Sequence, residues 1–556
     1  MKNLKKAFLP LLGMGLLASC SNDNFDDPQV PAGQEGDMYL TLNIRNLNTR
    51  TATPNQGKEE GQDVENTITS GLIILTHTDN NVVAAAEINN TEIKGIPGKY
   101  AASFKMVRQT LLTDLGNETS KEYRIWVIAN PTSDMVAYYT DPTTATKGIQ
   151  KTFELTTTDA ADKYWSNNNF LMTNADFSSQ TINKEDIAPG KHSTESDALN
   201  LGEVTVQRAM SRLDLATEAK YTVFNSTNNN SSLADVANVT VTIDGVALVN
   251  EATVANMFKE VGDKHDTYNE NTSVADTYSF FRKETASNWV FSPTQTSYLN
   301  PLFSNNTQVD LSTLNYTTVS TITSPDAADW SKGESDTSAP ADNYFIWRYA
   351  MENTIYDAAD PVAAQKNGVT TGVVFRAKMT GTPFTNANGK EVYVYNNRII
   401  GDMTALQQYT YENATSTDPA TQNWQKQVAL RYADAKNAAT TDGVLDNDKL
   451  KEELVKANFA IYEADDDGNY YCYYIYWNRH NDNGNNNLMG IMEFATVRNN
   501  VYKLAVKSIR TLGHPGKPGN DPDPTDPEDP DETDDLWGEV TCIVLPWEVR
   551  INNIEF

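Results

Sequence analysis

The sequence predicts an all-β protein built from β-sandwiches with long loops and a few short helices. Within residues 37–47, every second residue from 38 to 44 is apolar, and the more polar Tyr39, Thr41, Asn43 and Arg45 alternate with them. This alternation is typical of a strand with one buried face, and the buried set is Met38, Leu40, Leu42 and Ile44. Similar runs return along the chain between loops rich in Asn, Thr, Ser and Asp. Such spacing favours sandwiches with surface insertions.

The remaining strand-like runs are rich in Val, Ile, Tyr and Thr. They occupy residues 68–78, 100–107, 123–131, 204–216, 236–249, 373–381, 391–397, 470–477 and 501–509. Helical patterns are few. Residues 446–460 predict a helix with Asp446 as its N-cap, and residues 404–411 predict a shorter one.

A possible processing site follows the first strand. Arg50 lies between this strand, which we take for an edge strand, and a polar loop at 51–63 that contains one proline and two glycines. A trypsin-like protease can reach an arginine in such a place. The alternative is an arginine that merely ends a strand.

The C-terminal residues 537–556 form a second unusual feature. Apolar residues of one parity, with Glu548 and Arg550 between them, predict a strand with one apolar face, formed by Leu545, Trp547, Val549 and Ile551. The preceding segment 521–535 holds nine acidic residues and four prolines, a composition that stays extended and solvated. The tether at 514–536 could span roughly 70 Å at about 3.1 Å per residue, enough to reach another molecule.

The N-terminus has the form of a secretory signal. Lysines precede an apolar stretch at 7–18 that is too short to span a bilayer as a helix. Leu17, Ala18, Ser19 and Cys20 resemble a bacterial lipobox, which implies cleavage before Cys20 and acylation of that residue. The acidic segment 21–27 resembles the signal that sends Bacteroidetes lipoproteins to the outer face of the outer membrane. The alternative is an ordinary signal peptide with an accidental cysteine.

Composition excludes some partners. The 556 residues carry a formal net charge of −30 with no basic stripe, which argues against binding to nucleic acid or to an anionic membrane surface. Besides Cys20, the chain has Cys472 and Cys542, each inside a strand-like run. Two buried thiols are favoured over a disulfide between them.

No catalytic or metal-binding pattern is present. The five histidines are scattered, and neither a zinc-protease HExxH motif nor a GxSxG nucleophile elbow occurs. Residues 463–469 resemble part of a calcium loop, but Tyr474 stands where a bidentate Glu should close it, so a hairpin turn at Asp467 and Gly468 is favoured. The tyrosines of 470–477 suit packing better than sugar binding. We therefore predict no enzyme activity, no metal and no cofactor.

Several segments together resemble the fimbrillin family of Bacteroidales type V pili, closest to the stalk subunit of the short, minor fimbriae. Residues 268–342 and 398–460 match nothing in that family and are expected to hold variable surface loops. The matching segments are YRIWVIANP at 123–131, FLMTN at 170–174, VTVQRAMSRLDL at 204–215, MENT at 351–354, VVFRAKM at 373–379, VRNNVYKLAVKSIRTLG at 497–513 and VLPWEV at 544–549.

The resemblance implies two transthyretin-like, Ig-like β-sandwich domains and an extended C-terminal donor strand. The expected division is a signal peptide at 1–19, a propeptide with a removable first strand at 20–50, an N-terminal sandwich at 51–217, a C-terminal sandwich at 218–513, a tether at 514–536 and the donor strand at 537–556.

The resemblance also implies assembly by strand exchange. An Arg-specific protease would cut between Arg50 and Thr51, with Arg45 as the alternative site, and the first strand would leave its sheet. The donor residues Leu545, Trp547, Val549 and Ile551 of the next subunit would fill the gap and give a head-to-tail polymer. Expected partners are copies of the chain, anchor and tip subunits, the protease, and host or bacterial surface ligands. The expected location is a cell-surface fimbria, with the precursor held at the outer membrane by the lipid on Cys20.

Two alternatives remain open at this stage. One is a surface glycan-binding lipoprotein of a polysaccharide uptake system, which also combines a lipobox with β-sandwiches. The other is an anchor or tip subunit of the same pilus.

Overall fold

The computed structural model describes most of the chain between residues 36 and 555. The described residues are 36–46, 61–141, 148–156, 163–166, 169–175, 178–217, 221–224, 239–262, 278–279, 284, 288–304, 307–322, 344–355, 369–384, 390–481, 490–509, 511–517, 542–546 and 554–555.

The strands in the first part of the described chain are mostly long. They are β1 (Asp37–Asn46), β2 (Gly71–Thr76), β3 (Val82–Ile88), β4 (Ile93–Ile96), β5 (Lys99–Val107), β6 (Ser120–Ala129), β7 (Thr152–Glu154), β8 (Trp165–Ser166), β9 (Asn169–Phe170), β10 (Met172–Asn174), β11 (Ser179–Asn183) and β12 (Leu199–Arg208).

The later strands include many short pieces. They are β13 (Met210–Thr217), β14 (Tyr221–Phe224), β15 (Val239–Val249), β16 (Glu251–Ala252), β17 (Val254–Asn256), β18 (Val261–Gly262), β19 (Tyr278–Ser279), β20 (Trp289–Val290), β21 (Tyr298–Leu299), β22 (Phe303–Ser304), β23 (Thr307–Gln308), β24 (Thr317–Thr318), β25 (Phe345–Met351), β26 (Gly372–Thr380), β27 (Glu391–Tyr395), β28 (Arg398–Gly401), β29 (Thr440–Thr441), β30 (Val444–Leu445), β31 (Phe459–Glu463), β32 (Tyr470–Trp477), β33 (Asn500–Ser508), β34 (Cys542–Pro546) and β35 (Ile554–Glu555).

Helices are fewer than strands in the described residues, so the predicted all-β class is confirmed. They are α1 (Asp63–Asn66), α2 (Arg108–Leu115), α3 (Ser133–Thr140), α4 (Val319–Ile322), α5 (Met403–Gln407), α6 (Pro419–Ala438) and α7 (Asn447–Lys456).

The N-terminal strands form one large sheet. Within the described residues nine strands pair in the order β3-β2-β6-β10-β12-β1-β5-β4, with β11 added beside β6. Buried side chains from β1, β2, β5 and β6 make its core, and α2 and α3 add Leu111, Leu115 and Met135. All six residues of β2 are buried, which is typical of a strand that is covered on both faces.

A sandwich of two sheets, which we call the second sandwich, follows the N-terminal sheet in the chain. One sheet has the order β25-β13-β33-β34 with β35 also on β33, and the other has the order β14-β15-β26-β32 with β24 on β15. Their facing side chains share one buried cluster, which includes Leu215 of β13, Val241 of β15, Phe375 of β26 and Leu504 of β33.

The chain passes between the two sandwiches at Ala209. β12 pairs with β1 in the N-terminal sheet, whereas β13 pairs with β25 and β33 in the second sandwich. The predicted boundary near residue 217 therefore differs from the strand pairing. The sequence run 204–216 reads as one strand because both halves alternate, yet it supplies two strands to two sheets.

Residues 398–460, expected to hold surface loops, instead carry a folded unit. β27, β28 and β31 form a small sheet, and side chains of α6 and α7 such as Trp424, Val428 and Leu454 pack with it into a separate buried cluster. The sequence did not lead us to α6, a helix of 20 residues. The predicted α7 is present, with Asp446 accepting hydrogen bonds from the amides of Asp448 and Lys449.

The segment that resembles a calcium loop is a hairpin turn. The Asp465 carboxylate accepts the amides of Asp467 at 3.0 Å and Asn469 at 2.7 Å, and Gly468 has a φ of 81°. A positive φ favours glycine, so the turn prediction is confirmed. Cys472 in the following β32 is a buried free thiol, and burial raises its pKa to about 11. The side chain of Cys542 lies outside the described residues.

The buried face of β1 generates the first testable prediction. Leu42→Ala in the unprocessed chain should lower the free energy of unfolding by about 2–5 kcal/mol, because Leu42 is buried and a cavity remains. Asn43→Ala on the exposed face is the control and should change it by less than about 0.5 kcal/mol. Urea unfolding followed by circular dichroism measures both; equal effects would contradict the assigned faces.

Candidate functional site

β1 is an interior strand of the N-terminal sheet. It pairs antiparallel with β5 along its length and parallel with β12 from Leu40 onward. The prediction of an edge strand is wrong, because a strand with one buried face alternates in the same way whether one or both of its edges are paired. Loss of β1 would therefore unpair two neighbouring strands rather than one.

The apolar face of β1 is part of the core. Met38, Leu40, Leu42 and Ile44 are each no more than 1% exposed. Burial of four such side chains stabilises the sheet by about 6–12 kcal/mol. Removal of β1 would leave the apolar side chains that face them in contact with water.

Both ends of β1 contact loops. The Tyr39 amide donates to the His192 carbonyl at 2.8 Å, and the Asn46 amide donates to the Gly98 carbonyl at 3.1 Å. Arg45 forms an ion pair with Glu203 at 3.4 Å. With side chains 41% and 45% exposed, this pair contributes less than about 1 kcal/mol.

The end of β1 also contacts the start of the next described segment. The Asn46 side-chain amide donates to Asn66 Oδ1 at 2.9 Å and to the Asn66 carbonyl at 3.4 Å. Asn66 is the last residue of α1. The segment 47–60, which contains Arg50 and Thr51, therefore begins and ends at two points that side chains hold together.

A buried set of polar residues holds α1 in place. We call it the anchor network, and it consists of Glu65, Asn66, Arg208, Arg212, Asp214 and Tyr349. Its centre is the Glu65 carboxylate, which accepts two bonds from Arg212 Nη1 at 3.1 and 3.2 Å and the Tyr349 hydroxyl at 2.5 Å. The Gln62 backbone amide also donates to this carboxylate, at 2.6 Å.

The remaining members balance the charge. Arg212 donates through Nε and Nη2 to the two oxygens of Asp214, both at 2.8 Å. Arg208 donates through Nε to the Glu65 carbonyl at 3.1 Å and through Nη2 to Asn66 Oδ1. Burial, and then the adjacent Glu65 carboxylate, raise the pKa of Tyr349 well above its ordinary value, so its hydroxyl remains a donor.

The elements that flank segment 47–60, β1 and α1, are fixed by different contacts. Arg212 and Asp214 lie on β13 and Tyr349 lies on β25, so α1 is fixed to strands of the second sandwich. β1 is fixed by its pairing with β5 and β12 and by its apolar face. The side-chain bonds from Asn46 to Asn66 join these two supports.

The structure describes only some of the predicted site residues. Cys20, Arg50 and Thr51 lie outside the described residues, as do Trp547, Val549 and Ile551. Arg45, the alternative cleavage site, is inside β1 and paired on both sides. Leu545 is described through its backbone, which lies in β34.

The described parts of the tail lie on the chain's own second sandwich. β34 pairs antiparallel with β33, with Leu545 opposite Val501, and β35 pairs parallel with β33 near Val506. A donor role for Leu545 therefore requires β34 to leave β33.

Among the described residues, no group of His, Cys, Asp and Glu side chains is arranged to hold a metal ion. None of the helices in the described ranges is both long enough and apolar enough to cross a bilayer.

The C-terminal region matches a known family. Residues 468–553 match the model described as "Major fimbrial subunit protein type IV, Fimbrillin, C-terminal". Through this region, the chain resembles the fimbrillin family. The match does not distinguish a major from a minor subunit. No curated protein matches the sequence.

Solved structures that resemble this chain include proteins of Porphyromonas gingivalis. The fimbrilin FimA of strain W83 is 15% identical, with 92% of this chain and 98% of that chain covered and a TM-score of 0.33. The tip fimbrial protein Mfa3 is 10% identical, with 85% and 96% covered and a TM-score of 0.30. The fimbrial anchor protein Mfa2 is 9% identical, with 48% and 76% covered and a TM-score of 0.20.

Fimbrillins are structural subunits of fimbriae and need no cofactor. The model matched by residues 468–553 describes a structural fimbrial subunit, and this match supports the predictions that the chain is not an enzyme and binds no cofactor.

The anchor network was not predicted from the sequence. A local signal was available, because Gln62 and Glu65 have the spacing of a capping box. The partners of Glu65 had no such signal, since Arg212 and Tyr349 are 147 and 284 residues away in the chain. Burial of charged residues is visible only after the strands are placed.

The anchor network generates the second prediction. Glu65→Ala should lower the free energy of unfolding by about 3–5 kcal/mol, because it deprives buried Arg212 of one carboxylate partner. It should also speed amide hydrogen exchange in residues 61–68. Glu195→Ala breaks an exposed pair with Lys94 and should cost less than about 1 kcal/mol. Unchanged exchange at 61–68 in Glu65→Ala would show that the network does not fix α1.

Proposed function

We propose that this chain is the repeating subunit of a cell-surface fimbria and that it polymerises by protease-triggered strand exchange. Cleavage after Arg50 releases β1, and the tail of a second copy takes its place. The observation that carries the proposal is the position of β1, an interior strand with a fully buried apolar face that precedes the segment containing Arg50.

The geometry favours Arg50 over Arg45 as the cleavage site. A protease binds its substrate as an extended segment and needs access to the backbone on both sides of the scissile bond. Arg45 lies within β1, whose backbone is paired with β5 and β12. Arg50 follows Asn46, the last residue of β1, by four positions in the chain, so cleavage there does not interrupt the described pairing of β1 with β5 and β12.

Cleavage after Arg50 separates β1 from α1, and different contacts hold these two elements in place. Glu65 and Asn66 stay on the mature chain, held by Arg208 and Arg212. β1 is then retained only by non-covalent contacts with its sheet. A strand with the same backbone pairing and a comparable apolar face can compete for these contacts, which is the mode of recognition known as strand addition.

The C-terminal strand with Leu545, Trp547, Val549 and Ile551 is the proposed donor. The tether at 514–536 gives it reach, and the donated strand is extended and apolar on one face. Each copy gives one strand and receives one, so the contact is heterologous and repetition gives a filament. The filament would bind anchor and tip subunits and carry adhesion to host or bacterial surfaces, including biofilm formation.

The precursor is proposed to travel as a lipoprotein. Acylation of Cys20 would hold it at the outer membrane until the Arg-specific protease cuts. The cut separates the lipid from the mature chain, since Cys20 and Arg50 lie on the same released segment. The subunit then passes to the cell-surface fimbria without its lipid.

One observation favours a second candidate function. A surface glycan-binding lipoprotein should fold its tail against its own domain, and the pairing of β34 with β33 is of that kind. Such a protein would keep its tail there after proteolysis and bind glycans in array experiments. An anchor or tip role would instead show as a subunit that caps filaments without extending them.

The cleavage site generates the third prediction. Arginine-specific proteolysis of the purified chain should yield a new N-terminus at Thr51 and ladders that survive SDS. Arg50→Ala should abolish both, whereas Arg45→Ala should leave both unchanged. N-terminal sequencing and unheated gels measure the outcome. Ladders formed equally by Arg50→Ala would contradict the assigned site.

The donor strand generates the fourth prediction. Deletion of residues 535–556 should leave processed monomers and no ladder, because no strand is available to fill the place of β1. The same deletion should leave cleavage at Arg50 unaffected, which controls for folding. A ladder that persists after the deletion would rule out the tail as donor.

A further inference from the structure

The last residue of β1 breaks the apolar row on its buried face. Asn46 has the parity of Ile44 and is 4% exposed. Its side-chain amide donates to Asn66 Oδ1 at 2.9 Å, and Arg208 donates to the same oxygen. The buried face of β1 therefore reads as four apolar side chains followed by one amide.

The tail repeats this order. With a constant offset along the chain, the buried face of β1 aligns with one face of residues 545–553. The first set is Met38, Leu40, Leu42, Ile44 and Asn46, and the second set is Leu545, Trp547, Val549, Ile551 and Asn553.

We propose that the tail of a second copy enters the place of β1 in the same direction as β1, with Asn553 donating to Asn66 where Asn46 did. This inference rests on the proposed strand exchange and adds the direction and register of the incoming strand. The partner is a second copy of this chain, and Asn553 is its register-determining residue.

The environment of Asn46 discriminates against the reversed direction. If the four donor side chains filled the same four places in reverse order, Ile543 would stand at the position of Asn46. An apolar side chain there would exclude water from Asn66 without replacing the lost donor. Asn66 Oδ1 would keep the Arg208 guanidinium as a donor but would lose the bond that an incoming amide supplies. Insertion in the direction of β1 avoids this cost.

The same environment discriminates against slipped registers. A slip of two residues one way puts Ile551 opposite Asn66. A slip of two residues the other way puts Asn553 at the place of Ile44, among apolar side chains. A slip of one residue would turn the apolar row to solvent. A single buried asparagine can fix the register of paired elements in this way.

Pro546 also fits this register. It takes the place of Tyr39, whose amide donates to the His192 carbonyl rather than to a strand. Parallel pairing of β1 with β12 begins only at Leu40. A proline has no amide proton and is tolerated at the start of a strand. Pro546 at the place of Tyr39 would therefore lose one hydrogen bond to a loop but none between strands.

The changes in side-chain size partly offset each other. Trp547 is larger than Leu40, whose place it takes. Val549 is smaller than Leu42, whose place it takes, and Leu40 and Leu42 are neighbours on the same face. Leu545 is close in volume to Met38, and Ile551 is identical to Ile44. The groove must therefore widen near β5 and β12 at one position only.

Cleavage after Arg50 is required for this register. It removes Asn46 together with β1 and leaves Asn66 without that donor. Cleavage after Arg45 would instead leave Asn46 as the first residue of the mature chain, beside Asn66 and in competition with Asn553.

Disulfide trapping between two variants tests the direction. In the proposed register Arg550 takes the place of Asn43, which is opposite Ala101 of β5. The Asn46 amide bonds to Gly98 in this ladder, so Asn43 and Ala101 are a non-hydrogen-bonded pair, with Cα atoms about 4.5 Å apart. That separation permits a disulfide.

The experiment uses full-length chains in a Cys542→Ser background. Arg550→Cys is processed and mixed with processed Ala101→Cys or, in parallel, with processed Lys105→Cys. Oxidised mixtures are run on heated non-reducing gels. The proposed register predicts a dimer with Ala101→Cys and little with Lys105→Cys, whereas the reversed direction puts Arg550 at the place of Tyr39, opposite Lys105.

The outcomes separate this inference from the proposed function. If unmodified chains form no SDS-resistant ladder after processing, the strand exchange itself fails. If ladders form but Ala101→Cys gives no cross-link, the direction or register proposed here is wrong and strand exchange stands.

A second comparison tests Asn553 itself. Asn553→Ala should raise the rate at which ladders dissociate on heating roughly tenfold, because it removes one hydrogen bond to the buried Asn66 Oδ1, which then keeps Arg208 as a donor. Asn552→Ala changes the opposite face, at the place of exposed Arg45, and should have little effect. Both substitutions lie in the tail, so the receiving sheet remains intact. Equal dissociation rates for the two variants would overturn the role of Asn553.

Discussion

The fold depends on a constraint that applies to any sheet, namely that an interior strand cannot be removed without exposing core on one face and two unpaired edges on its sides. In this chain the strand concerned is the first, and β5 and β12 both depend on it for pairing. The same strand precedes the segment with Arg50. In the proposed strand exchange, cleavage of one peptide bond after Arg50 would decide whether the N-terminal sheet keeps β1.

The segment 47–60 joins two supports of different physical character. β1 is held by backbone pairing and apolar contact, which any extended chain of suitable pattern can reproduce. α1 is held by Glu65, Arg212 and Tyr349 in a buried arrangement of fixed geometry. Buried ion pairs often contribute less stability than well-packed apolar residues would, because the charges lose their hydration. Their effect here is to fix the position of α1, whereas in the proposed exchange β1 is the element that is replaced.

Sequence reasoning recovered what local patterns encode. The alternation of 37–47 identified β1 and its buried face, and Asp446 identified the start of α7. The position of β1 in its sheet was not recoverable, because its partners at 99–107 and 199–208 are set by topology. α6 was missed although Asp418 and Pro419 form a recognisable helix start, since the polar composition around it suggested a loop. The anchor network depends on contacts between residues far apart in the chain, and no local pattern records them.

The position of Asn46 shows why a polar residue is useful at the end of an exchangeable strand. Apolar contacts between a strand and a core are tolerant, so Leu, Val, Ile and Met can replace one another at modest cost. A groove lined only by such contacts would accept several registers and both directions. One amide that must donate to Asn66 makes these alternatives unequal, because a mismatched strand loses this buried hydrogen bond. In the proposed exchange, the anchor network would hold Asn66 in place after β1 leaves and would give the incoming strand a fixed partner.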